Sequence, residues 1–264
     1  MKAQAIILAA GRGERMRPLT DTCPKPLLTV RGQPLMQWPM QALAANGFHR
    51  QLVNTAWLGA LIEQHFTHQI ASESLSYGHN QLLNSEQLHL TYSHEGIDFG
   101  YALETAGGIC RALPHLAQVF WVLAGDVFAP RFAYTRAVYD QFAQSDKLAH
   151  LWLVPNPPHN PRGDFGLSSE GLALNLPKGA GHVLYTYSTI GLYKHALFAP
   201  PMCEVPAGNP QGIQAALAPL LRAAMDAGRV SAKLFMGEWT DVGTPERLAE
   251  INAVPDNFTQ RQAR

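Results

Sequence analysis

Short apolar runs alternate along the chain with stretches whose apolar positions recur at helical spacing, the pattern of a mostly parallel sheet covered by helices on both faces. Ala3–Ala9 reads as the first strand. Pro34–Asn46, with Leu35, Met36, Met40, Leu43 and Ala44 apolar, reads as a helix stopped by Gly47. Gln51–Asn54 is a second strand, Leu58–Phe66 a helix, Leu88–Ser93 a strand and Thr105–Leu113 a helix. Phe120–Ala124 is apolar throughout and ends at Gly125-Asp126, as a strand buried on both faces does. The second half is less regular. Leu151–Val154, Gly166–Leu176 and Thr186–Tyr193 read as strands and Ile213–Ala227 as an amphipathic helix; Ser231–Met236 and Trp239–Val242 are final strands before a helix opening at Pro245. No internal repeat is visible, so one domain is expected over residues 1–255, followed by a polar tail, 256–264.

At 264 residues the chain can bury a substantial core. Its 20 basic and 20 acidic residues balance, which removes the broad field that nucleic acid or an anionic membrane would need; neither is an expected partner, and any anion site must be local. Cys23, Cys110 and Cys203 are far apart, form no CxxC pair and make no disulfide framework, which fits a reducing, cytoplasmic setting. Neither a signal-peptide core nor a bilayer-spanning run is seen. The 11 histidines include no HExxH and no spacing of a structural zinc site.

The chemistry concentrates after the first strand, in LAAGRGERMRP, Leu8–Pro18. A dinucleotide fingerprint wants glycine where Met16 stands and an acid about twenty residues on, yet no Asp or Glu lies between Asp21 and Glu63. A P-loop wants Gly-Lys-Ser/Thr where Arg15-Met16-Arg17 stands. What remains is a turn in which Ala9, Ala10, Gly11 and Gly13 let backbone N–H groups approach a polyphosphate, with Arg12, Arg15 and Arg17 to supply charge-assisted bonds. A solvated turn with outward arginines is the alternative for the loop taken alone. Lys25, held between Pro24 and Pro26, sits on backbone that would aim its ammonium, although the stretch taken alone reads first as a surface loop with an ordinary exposed lysine.

LAAGRGERMRPLT (Leu8–Thr20), PKPL (Pro24–Leu27), ETAGGI (Glu104–Ile109), LAGDVF (Leu123–Phe128) and WTDVGTPERL (Trp239–Leu248) together resemble, in order and spacing, the signature of the sugar-phosphate nucleotidyltransferases, or NDP-sugar pyrophosphorylases. Three further stretches, VNTAWLG (Val53–Gly59), RGDFGL (Arg162–Leu167) and APLLRAAMDAGRVS (Ala218–Ser231), narrow the resemblance to a uridylyl-transferring branch with a muramic sugar 1-phosphate as acceptor. The guanylyl and thymidylyl branches that act on mannose and glucose phosphates are similar, but less so. The resemblance implies a Rossmann-like three-layer αβα fold with a mixed, mostly parallel sheet. It also implies attack of a sugar 1-phosphate oxygen on the α-phosphorus of UTP, with release of pyrophosphate. Such an in-line transfer needs alignment and charge neutralisation rather than a nucleophilic side chain.

Carried over residue by residue, the resemblance puts Ala10, Gly11, Gly13, Glu14 and Arg15 around the triphosphate, with Arg15 against the leaving pyrophosphate and Lys25 between the α-phosphate and the incoming sugar phosphate. Asp126 and Asp241, each near a glycine (Gly125, Gly243), are the candidate ligands for Mg2+, which needs only one or two carboxylates besides phosphates. By sequence alone Asp126 also reads as a turn residue or a cap. Glu95, Thr105 and Gly108 are expected at the base, although the segment between Glu95 and Thr105 is longer than the family's usual spacing; Phe99 and Tyr101 within it read first as packing residues. Asp164 is expected to orient the sugar through its hydroxyls, and Arg162 or Lys178 to face the carboxylate of the muramic sugar. Thr186 is expected to share the sugar contact, because the family's Glu-Lys-Pro segment is absent from Leu174–Gly181. The expected enzyme is a monomer with UTP and a sugar 1-phosphate as its small-molecule partners. A silent nucleotide-sugar binder and an enzyme of the same fold that activates phosphocholine or another alcohol phosphate are the competing classes.

Overall fold

A computed structural model describes residues 2–72, 75–77, 81–83, 88–177, 179 and 181–253. Seven strands build its central sheet: β1 (Ala3–Ala9), β2 (Arg50–Thr55), β3 (His89–His94), β4 (Leu116–Ala124), β5 (Ala149–Val154), β6 (Thr186–Lys194) and β7 (Val230–Leu234). Their order is β7-β5-β6-β4-β1-β2-β3. Every pairing is parallel except those of β6, which runs against both β4 and β5. The helices are α1 (Gln37–Ala45), α2 (Gly59–Ser72), α3 (Glu95–Phe99), α4 (Glu104–Ala112), α5 (Arg136–Gln144), α6 (Leu217–Asp226) and α7 (Pro245–Ala253).

Side-chain alternation along the strands divides the core. Ile6, Leu52, Val122 and Leu151 pack with Ile109 of α4 and Leu221 of α6 on one face. Ile7, Val53, Leu123 and Trp152 pack with Met40 and Leu43 of α1 and Phe142 of α5 on the other. Both faces are therefore apolar, which is why Ala5–Ala9 of β1 and Val119–Ala124 of β4 read as hydrophobic runs. A smaller third cluster, with Met16, Val30, Leu35, Phe128, Val242 and Ile251, ties the loop after β1 and α7 to the body. Each such side chain contributes about 2 kcal/mol on burial, so the strand ends that carry the loops are firmly fixed.

Several elements differ from the reading of the sequence. The stretch expected as one strand, Gly166–Leu176, is a hairpin: Gly166–Leu167 pairs with Ala173–Leu174, and the Ser168-Ser169-Glu170-Gly171 turn closes with a bond from Gly171 N to Ser168 O. The helix expected from Ile213 begins only at Leu217. Asn209 holds Ile213 through both its N–H and its carbonyl, and Ala215 O accepts from Ala106 N and Gly107 N, so this backbone is committed elsewhere. Pro219 then sits in the first turn, where it displaces no helical hydrogen bond. Helices α3 and α5 were not expected; α5 buries Tyr139 and Phe142 and is capped by the Thr135 hydroxyl. The three cysteines are free, but the fold brings Cys110 and Cys203 together, with Sγ atoms 3.8 Å apart, despite their sequence separation. The polar tail, 256–264, lies outside the described residues.

Candidate active site

A cleft of about 890 Å³ opens over the carboxyl ends of β1 and β4, at the point where the chain, having built β2 and β3 to one side of β1, crosses to the other. Crevices at such a reversal are the usual ligand sites of open α/β sheets. Gly11, Gly13, Glu14, Arg15, Lys25, Thr105, Asp126 and Asp164 all line it, as the sequence led us to expect.

The loop after β1 is shaped from its own residues. Gly13 has φ of +68°, and a Cβ there would come within 3.1 Å of Thr20 and 3.2 Å of Lys25, so only glycine fits easily. The Gly13 carbonyl accepts from Met16 N (2.9 Å) and from the Thr20 hydroxyl (2.9 Å), and fully buried Met16 anchors the turn. The three arginines separate. Arg12 stacks on Trp57 at 3.8 Å, Arg17 pairs with Asp21 at 2.7 Å, and Arg15 faces the cleft. Ala10 is buried, between Ala9 and Gly11, which both line the cleft.

Lys25 opens a single 3-10 turn fixed by Leu27 N bonding to Pro24 O and Leu28 N to Lys25 O. Its side chain is 10% exposed, and its Nζ meets Asp126 Oδ2 at 2.5 Å. Asp126 follows β4, where Gly125 N bonds back to Leu8 O. The next residues, Val127–Phe128, pair with Thr240–Asp241, and Val242 N donates to Asp126 O, which places the two candidate metal acids on neighbouring antiparallel segments. Asp241 is not in the cleft wall; its neighbour Gly243 is. Asp241 Oδ1 accepts from Arg247 Nη1 (2.6 Å) and lies 2.8 Å from His159 Nε2, two partners that no local sequence feature announces.

The expected base contacts need correction. Glu95 is fully buried: Oε1 accepts from Asn54 Nδ2 (2.6 Å) and Oε2 from Leu103 N (2.8 Å). Burial pushes its carboxyl up, opposed by those two donors and by the Arg111 charge. Gly108 is packed against this pair, since a Cβ there would meet Glu95 Oε1 at 2.5 Å. Asn54 in turn accepts from Ala9 N at 2.8 Å. Glu95, Asn54 and Gly108 thus form a strut joining the end of β1 to the start of α4 rather than a base-binding surface. Thr105 remains at the cleft beside Glu104, which holds φ of +58°, an uncommon conformation for a side chain of this kind.

On the opposite wall stand Asp164, Phe165, Tyr187 and Arg222. Asp164 Oδ2 accepts from Tyr187 N (3.0 Å) and Asn160 Nδ2 (3.1 Å). Thr186 is a support behind this wall, buried and bonded to Asn156 and Asn160, and not a sugar-facing group. Arg162 is exposed and outside the cleft wall. Lys178 lies outside the described residues. Arg222 was missed because helical periodicity shows which face of α6 is apolar but not what that face overlooks.

The nucleotidyl transferase family model matches residues 4–256. The chain belongs to the nucleotidyl transferase family. This nucleotidyl transferase is 42% identical to the N-acetylmuramate alpha-1-phosphate uridylyltransferase of Neisseria meningitidis serogroup B, over 95% of its own length and 97% of the relative's. It is 28% identical to the protein of the same name from Caulobacter vibrioides, over 93% and 97% of the two chains. The structure of the inositol-1-phosphate CTP transferase from T. maritima superposes with a TM-score of 0.66 at 18% identity, covering 96% and 97%, and so shares the fold. Among the described residues no helix is long and apolar enough to cross a membrane.

Proposed function

We propose that this nucleotidyl transferase moves a uridylyl group from UTP to N-acetylmuramate 1-phosphate, giving UDP-N-acetylmuramate and pyrophosphate, as a cytoplasmic step of peptidoglycan recycling. The observation that carries the reading is the 42% identity, over 95% of the chain, to the N. meningitidis uridylyltransferase. The cleft supports it. The turn from Gly11 to Arg15 offers backbone N–H groups and one guanidinium to a triphosphate, and Lys25 stands across from it with Asp126.

In this account Arg15 neutralises the charge that develops on the departing pyrophosphate. Lys25 bridges the α-phosphate and the attacking sugar phosphate, held in line by the 3-10 turn and by Asp126. Asp164 takes sugar hydroxyl protons as hydrogen bonds, its carboxylate fixed by Tyr187 N and Asn160. Among the described residues no group of three or more His, Cys, Asp or Glu side chains stands ready for a metal. Asp126 in the cleft wall, with Asp241 on the segment paired beside it, would be the carboxylates to hold Mg2+, which fills its remaining positions with water and phosphate oxygens. Held there, Mg2+ would supply further neutralisation of the phosphates.

The test is pyrophosphate release with Mg2+, crossing UTP, dTTP, GTP and CTP against the 1-phosphates of N-acetylmuramate, N-acetylglucosamine, glucose and mannose. Turnover concentrated on UTP with the muramic acceptor is expected. Turnover only with GTP and mannose 1-phosphate, or none with any pair, would overturn the reading.

A further inference from the structure

We infer that Arg222 reads the carboxylate of an acidic acceptor sugar, and so is the residue that separates N-acetylmuramate 1-phosphate from its uncharged counterpart. The inference rests on the uridylyl-transfer reading above. Among the described residues three cations line the cleft: Arg15, Lys25 and Arg222. The first two belong to the phosphate side, with Lys25 set against Asp126. Arg222 comes from α6 on the other wall, with Asp164, Phe165 and Tyr187.

Its guanidinium is held without being neutralised. Its Cζ lies 5.0 Å from the centre of the Phe165 ring, Nη1 donates to the amide oxygen of Asn175 at 2.5 Å, and Nη2 reaches the Asp164 carbonyl at 3.5 Å. Asp226 stands one helical turn further on, at the spacing of a direct ion pair. Instead Asn175 lies between them, its Nδ2 donating to both carboxylate oxygens of Asp226 at 3.0 and 3.1 Å. Among the described residues Arg222 makes no ion pair. A fork held by neutral acceptors keeps its charge and N–H groups for a ligand, and its planar geometry matches a carboxylate. The 1-phosphate of the acceptor is already served by Lys25. A second anionic group, borne on the sugar ring away from that phosphate, is what Arg222 fits; in N-acetylmuramate this is the lactyl carboxylate, which N-acetylglucosamine lacks. Of the two cations expected for this task, Arg162 is outside the cleft wall and Lys178 lies outside the described residues.

The experiment measures kcat/KM for N-acetylmuramate 1-phosphate and for N-acetylglucosamine 1-phosphate in wild type, Arg222→Met and Arg222→Lys, at saturating UTP. Methionine keeps the stem against Phe165, and thermal unfolding of each variant checks the fold. In Arg222→Met the ratio of the two efficiencies is expected to fall about 10²-fold, through the KM of the acidic acceptor, with partial recovery in Arg222→Lys. If both acceptors fall in parallel and the ratio persists, Arg222 is a structural residue and the assignment fails, while uridylyl transfer to the muramic acceptor stands. If the wild type itself shows no preference for the acidic acceptor, the functional reading fails and the assignment with it.

Discussion

Lys25→Met removes one ammonium and keeps a stem of similar length, so it isolates the charge. Two effects follow, of different size. Asp126 loses its partner, but its side chain is 36% exposed and water can take the place of the ammonium, so the stability loss is about 1 kcal/mol rather than the several expected of a fully buried pair. For a chain of this length that is a fall in Tm of about 2 °C. The kinetic effect is larger, because Lys25 is pre-aimed by its 3-10 turn and 90% of its side chain is shielded from solvent, conditions in which a charged donor acts on a developing phosphate charge with little reorganisation. Loss of such a donor costs about 3 to 4 kcal/mol of transition-state stabilisation, or a fall of about 10² to 10³ in kcat. A coupled pyrophosphate assay beside a thermal melt separates the two. A variant with kcat within threefold of wild type would refute the reasoning, as would a Tm drop large enough to unfold the protein under assay conditions.

Asn54→Ala strips Ala9 N and the buried Glu95 of their partner, and is expected to cost about 2 to 4 kcal/mol and to raise the KM for UTP by loosening the end of β1; a melt unchanged from wild type would contradict this. Burial, with a smaller push from the Lys233 charge, lowers the His150 imidazole from 6.5 to about 4. The unfolded chain binds this proton first, so the contribution of His150 to stability is whole above pH 6.5 and is lost as pH falls toward 4, by up to about 3 kcal/mol. His150→Gln should flatten that limb of the stability profile, and an unaltered slope would count against it. Burial, with the neighbouring Cys203 thiol, pushes the Cys110 thiol far up, and both are enclosed; a thiol reagent should therefore titrate Cys23 alone in the native protein and all 3 cysteines after unfolding. Rapid reaction of more than one native thiol would show that α4 opens.

The parts of the site that were legible in the sequence are those whose logic is local. The loop after β1 announces itself by glycines within two residues of one another, Lys25 by the prolines on either side of it, and Asp126 by the break at the end of an apolar strand. The sheet was legible for the same reason, since strand and helix periods are read within a dozen residues. What was not legible depends on partners far along the chain. The family resemblance put Glu95 at the base, but its meaning comes from Asn54, 41 positions away, which turns it into a buried strut. Thr186 was expected at the sugar, and Asn156 and Asn160 draw it behind the wall instead. Arg222 carries no mark in its own helix; only the placement of Phe165 and Asn175 against it shows what it overlooks. Asp241 was expected at the metal beside Asp126; the structure sets it outside the cleft wall, bonded to Arg247 six positions on and to His159 far back along the chain.

The most direct test of the account is a crystal structure with UDP-N-acetylmuramate bound. The account predicts the diphosphate beside Gly11, Gly13 and Lys25, the sugar against Asp164, and the lactyl carboxylate on Arg222. A nucleotide bound away from the carboxyl ends of β1 and β4, or a sugar turned from Asp164 and Arg222, would contradict it.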